Sequence, residues 1–151
     1  MRSRRAALIA LTIASLAVGA WAQFAPASFH TSFPFGRAWV STDGPFNEHL
    51  IRDVGGLNLA LGALTGVAAL RMHADLVRLA AVVTLVFSVP HLAYHALHLE
   101  PYAALDAVGM MLSLGLGVVV PAWLAWSPAP RRRAAASAVT GPARAGGKGG
   151  R

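Results

Sequence analysis

Four stretches of this chain stay apolar for the length of a membrane crossing, at about residues 6–22, 53–70, 76–99 and 102–126. An α-helix rises about 1.5 Å per residue, so about 20 residues cross a hydrocarbon core of roughly 30 Å. The pattern predicts an all-α fold, a four-transmembrane-helix bundle over residues 1–126 with the lipid bilayer as its solvent. The connection at 23–52 is polar but carries Phe24, Phe29, Phe33, Phe35, Trp39 and Phe46 among its prolines and glycines. Such aromatic density suits an external loop at the membrane–water interface. Residues 127–151 turn to Pro, Ala, Gly and Arg, which leaves little to bury and predicts a disordered basic tail.

Composition agrees with a bilayer environment, since 56% of the residues are hydrophobic and 13% are charged. The basic residues are segregated rather than spread. Arg2, Arg4 and Arg5, Arg71 and Arg78, and the tail residues Arg131, Arg132, Arg133, Arg144, Lys148 and Arg151 fall on one side of a four-span topology. Only Arg37 and Arg52 fall on the other, so the positive-inside rule predicts that both termini are cytoplasmic. The net charge of +7 therefore reflects topology, and no interleaved basic and aromatic surface points to nucleic acid. Cysteine is absent, which excludes thiolate metal sites, iron–sulfur clusters and thiol catalysis.

The first span has the parts of a secretory signal peptide: the basic start MRSRR, an apolar run, and Ala20 and Ala22 as small residues before Gln23. Cleavage there would leave three spans. A retained first helix is the expectation for a small polytopic protein. In the second span Gly62 and Gly66 are four residues apart, one face on which a neighbouring helix can approach closely, and a homo-oligomer contact is one use of it.

Candidate chemistry gathers toward the loop side. His91, His95 and His98 occur in PHLAYHALHLE, and steps of four and three residues keep them within about 60° on a helix. Antiparallel neighbours bring Arg52, Asp53 and Asn58 of the second span and Asp106 of the fourth to the same layer, flanked by Glu48, His49 and Glu100. Ionisable groups in a membrane are costly and are expected to face the bundle with a partner. Arg52, Asp53, Asn58, His91, His95 and Asp106 are thus candidate ligand-binding residues for a small molecule such as a quinone or a lipid headgroup, with His and Asp as proton carriers. A structural alternative makes the layer a packing network, with Arg52 paired to Asp53 or Glu48 and His91 bonded to Asn58 or Asp106. A further alternative is a metal-dependent redox enzyme with His91, His95 and His98 as ligands. A bis-histidine haem lacks a second imidazole on a facing span, and six histidines are too few for the several His boxes of a membrane di-iron centre. No nucleophile elbow, phosphate loop or catalytic triad order appears, and no catalytic residue or cofactor is specified.

Residues 33–62, FPFGRAWVSTDGPFNEHLIRDVGGLNLALG, resemble the loop and second helix of small DoxX-like bacterial membrane proteins. An acidic residue there precedes an Arg and a glycine-containing helix, matched by Glu48, Arg52 and Gly55. The resemblance implies a four-helix fold in a bacterial plasma membrane. It also favours a quinone among the candidate ligands, because some DoxX-like proteins are associated with quinone-linked redox systems. It does not extend to the histidine stripe, and a shared fold does not fix a function.

Overall fold

The computed structural model describes residues 2–127; the expected disordered tail, except for Ser127, lies outside the described residues. Among those described, every regular element is a helix: α1 (Arg2–Phe24), α2 (Pro26–Ser32), α3 (Trp39–Asp43), α4 (Glu48–Arg71), α5 (Ala74–Ala96) and α6 (Ala104–Trp126). The helices α1, α4, α5 and α6 are long and apolar enough to cross a membrane, the architecture of a polytopic membrane protein. The short α2 and α3 lie within the long connection.

Two antiparallel pairs make up the bundle, α1 with α4 and α5 with α6. Glycine lets the first pair approach to backbone contact. A Cβ on Gly19 would lie 2.8 Å from the Leu59 nitrogen, and one on Gly55 would lie 2.6 Å from the Gln23 nitrogen. Gly62 is buried beneath Leu16 of α1. The glycine face that the sequence offers to a second copy is therefore occupied, at Gly62, by a helix of the same chain.

The pairs join at the end that carries Arg2, Arg4, Arg5, Arg71 and Arg78, here called the basic end. Leu8, Ala68, Ala69, Val77, Ala80, Ala81, Leu124 and Ala125 form one buried cluster there. Arg4, itself buried, donates from Nη2 to the Leu124 carbonyl oxygen at 3.1 Å. That carbonyl belongs to the last turn of α6, where no later helical N–H is available to it and a cation is favoured. At the opposite, loop end, Ala22, Phe29 and Ile51 form a second cluster, with Trp21 and Phe33 packed against it. Trp21 meets Phe29 edge to face at 5.8 Å, the geometry that aromatic quadrupoles favour.

Helix bounds depart from the apolar runs where capping chemistry intervenes. Asn47 accepts a hydrogen bond from the Leu50 N–H at 3.1 Å, so α4 starts at Glu48, five residues before the apolar run. Glu48, His49 and Arg52 consequently sit on a helix rather than in a loop. At its far end α5 stops at Ala96, short of the expected Leu99, ahead of Pro101, which disfavours helix at the residue before it. His98 thus falls outside the helix. The expected 30-residue loop is itself partly helical, with Pro26 at the start of α2.

Candidate functional site

Beyond Thr84, α5 buries no residue completely, and Phe87, His91 and His95 are half-buried along one face of its loop-end half. The i, i+4 spacing does bring the first two histidines together. His91 and His95 meet edge to face with ring centres 4.8 Å apart, and Phe87 stacks on His91 at 5.2 Å and 19°. The Nδ1 atom of His95 is buried and hydrogen bonded to no protein group among the described residues. A buried polar atom in that condition carries a desolvation cost that a ligand or water can relieve. Ser88, one turn from His91, donates to its own helix at the Thr84 carbonyl, 2.8 Å away, and so is not presented as a nucleophile.

The third histidine does not converge on the first two. His98, past the helix end, is exposed; its ring stacks on Tyr94 at 4.3 Å, and its Nδ1 lies 2.7 Å from the Tyr94 carbonyl. Among the described residues no group of three or more His, Asp or Glu side chains is arranged to hold a metal ion. The expected triad of His91, His95 and His98 is separated by the early end of α5.

The four other expected ligand residues have partners elsewhere. Asp106, in the first turn of α6, accepts from Trp39 Nε1 at 2.7 Å and from the guanidinium of Arg37. Arg52 binds Glu48 one turn earlier and donates to the Gln23 carbonyl at the end of α1. Asp53 pairs with His49 at 3.4 Å on an exposed surface. Asn58 is buried but donates to the Val54 carbonyl of its own helix at 2.9 Å. Among the described residues the expected cross-helix bond from His91 to Asn58 or Asp106 is not made, because Asn58 bonds within its own helix and Asp106 is held by Arg37 and Trp39 of the connection. Hydrogen bonds and ion pairs of Arg52, Asp53 and Asn58 stay within α1 and α4 among the described residues, away from the histidine pair.

Residues of the connection take their place against the start of α6. Asp43, at the end of α3, lies close to Tyr102, just ahead of α6. The Tyr102 hydroxyl donates to the Trp39 carbonyl at 3.1 Å, and the Trp39 ring lies against Gly109 of α6, where even an added Cβ would be only 3.6 Å away. Thus α3 is held to α6 by Trp39, Arg37 and Tyr102. The sequence contained one signal for this: Arg37 and Arg52 are the two basic residues of the loop side, and each proves to be neutralised by an acid. An Asp at a helix start inside an apolar run calls for such a partner.

Burial, reinforced by the nearby charge of Asp43, pushes the Tyr102 phenol up to about 12. The folded value lies above the ordinary 10.0, so this group's contribution to stability is complete below pH 10.0 and is lost as pH rises to about 12. In Tyr94→Phe protein, where Tyr102 is the remaining tyrosine, phenolate absorbance is expected to rise with a midpoint near 12. A midpoint near 10 would contradict the burial of this hydroxyl against α3.

Comparison with known proteins adds no assignment: no family model, curated protein or solved structure matches this chain.

Proposed function

We propose that the chain is a multi-pass protein of the bacterial plasma membrane, with both termini cytoplasmic, that binds a small hydrophobic molecule with a hydrogen-bonding head, a quinone in the first instance. The site is the outer half of α5, on the face that carries Phe87, His91 and His95. The observation that carries this reading is the buried His95 Nδ1, which has no hydrogen-bond partner among the described residues and sits beside a second imidazole. A quinone carbonyl accepts a hydrogen bond from a protonated ring nitrogen, and the flat Phe87–His91 stack suits a planar ring. Because α5 exposes Val86, Val89 and Tyr94 around these groups, a ligand dissolved in the bilayer reaches them laterally. The DoxX-like resemblance of residues 33–62 favours the same ligand class.

Within this reading Arg37, Asp106 and Trp39 tie the connection to α6, while Arg52 and Glu48 tie α4 to the end of α1. A second reading rests on those same ties, since a packing network needs no ligand to explain them. Analysis of lipid extracts and metal content of protein purified in mild detergent separates the readings. Near-stoichiometric quinone that is lost in His95→Phe is expected. Absence of quinone, or its retention in that variant, would overturn the ligand reading, and iron, copper or zinc lost in His91→Ala and His95→Ala would replace it with a metal site.

The orientation is tested separately, using the absence of native cysteine. An impermeant thiol reagent is expected to label Thr42→Cys in intact cells and to leave Ser137→Cys unlabelled. The reverse pattern would invert the topology.

A further inference from the structure

We propose that a groove between α1 and α4 at the basic end is a binding site for one anionic phospholipid, with an acyl chain in the groove and the phosphate at Arg5. This site is separate from the histidine face and does not depend on the function proposed for it. The groove encloses about 340 Å³ and is lined by Arg5, Ile9, Thr12, Ile13, Gly66 and Leu70, with Ala69 in its floor. Its depth comes from the missing side chain at Gly66, where an added Cβ would lie 3.3 Å from the Thr12 methyl. The Thr12 hydroxyl is already engaged, donating to the Leu8 carbonyl at 2.8 Å and lying 3.0 Å from Thr65 Oγ1. Ile9, Ile13 and Leu70 are exposed along the walls. The lining is therefore apolar up to Arg5.

Charge at the mouth selects the occupant. Arg5 is exposed and makes no ion pair among the described residues, and Arg2 and Arg71 lie at the same end of the antiparallel pair. Asp75 is the acidic residue of this end, and it lines a different cleft with Arg4 and Arg78. No carboxylate thus lines the groove. A helix about 10 Å across is too wide for such a groove, whereas a single hydrocarbon chain is not. A phosphate bearing net negative charge complements the basic mouth better than a zwitterionic headgroup does.

Native mass spectrometry of the full chain, exchanged against equal phosphatidylglycerol and phosphatidylcholine of matched chains, tests the proposal. One phosphatidylglycerol per chain is expected, at about a fivefold preference, the ratio that one basic residue near a lipid surface supports. Arg5→Gln, at an exposed position, is expected to bring the two lipids to parity, while Arg78→Gln keeps the preference. Gly66→Val, which fills the floor, is expected to lose retained lipid. Equal retention by the unaltered protein, an unchanged preference in Arg5→Gln, or parity in Arg78→Gln as well would overturn the proposal. The two arginine variants leave the α1–α4 contact untouched, so the test stands even if Gly66→Val fails to fold.

Discussion

A chain that begins at Gln23, exported behind a cleavable leader, is expected to be recovered poorly from membranes and to elute from size exclusion as aggregate. The missing segment holds Leu8 and Ala22, both fully buried, and Gly19, which meets the backbone of α4. It also carries the Arg4 bond to the end of α6 and the Thr12–Thr65 contact. Each buried apolar side chain removed from a packed core costs about 2–5 kcal/mol, and here a whole helix face is removed. The features that make residues 1–22 resemble a signal peptide, a basic start and a small-residue end, are used here for packing: Arg4 joins α6, and Ala22 lies in the loop-end cluster. Peptide mapping of the purified protein is accordingly expected to find residues 2–22 still attached. Gln23 as the N-terminus of a stable, monodisperse protein would contradict this account of α1.

Gly55→Leu is expected to lower stability by about 3 kcal/mol or more, at the upper end of overpacking costs. The new Cβ would meet the Gln23 backbone nitrogen at 2.6 Å, and backbone cannot rotate away. Replacements at other glycines should follow the nature of the obstacle. At Gly62 the closest atoms are Leu16 side-chain carbons at 2.7 and 2.8 Å, with the Leu16 backbone nitrogen farther off at 3.2 Å, so Gly62→Ala is expected to cost less than Gly55→Ala. At Gly115 nothing lies within 4 Å, and Gly115→Ala is expected to be neutral or stabilising by up to about 1 kcal/mol through helix propensity. Thermal unfolding in one detergent checks the order Gly55, Gly62, Gly115. Equal effects at the three positions would mean that the α1–α4 approach is not the constraint described here.

The four crossings were legible because an apolar run long enough for a bilayer has few other uses, and α1, α4, α5 and α6 lie on the four predicted runs. Their ends were less legible. Hydropathy cannot see that Asn47 caps a helix through polar residues, or that α5 ends before His98, and these two details rearrange the site. Arg52 does take Glu48, one of the two acids expected for it, but as a neighbour one turn away on the extended α4; with α5 shortened, His98 leaves the stripe. The i, i+4 relation of His91 and His95 survived because it depends on local periodicity alone. Pairing across the chain did not follow the expectation, because Asp106 and Arg37 are 69 residues apart and only the fold of the intervening loop brings Arg37 over α6. Trp39, Asp43 and Tyr102 had no pattern of their own in the sequence; their roles arise from where α3 comes to rest.

Equilibrium binding of a soluble short-chain quinone to the detergent-solubilised protein, with unaltered and His95→Phe chains compared at matched thermal stability, tests the proposed function most directly. One saturable site per chain, weakened about tenfold by the loss of one buried hydrogen bond in the variant, is the expected result. Binding that does not saturate, or that is the same in both proteins, would contradict it and leave the His91–His95 pair as packing.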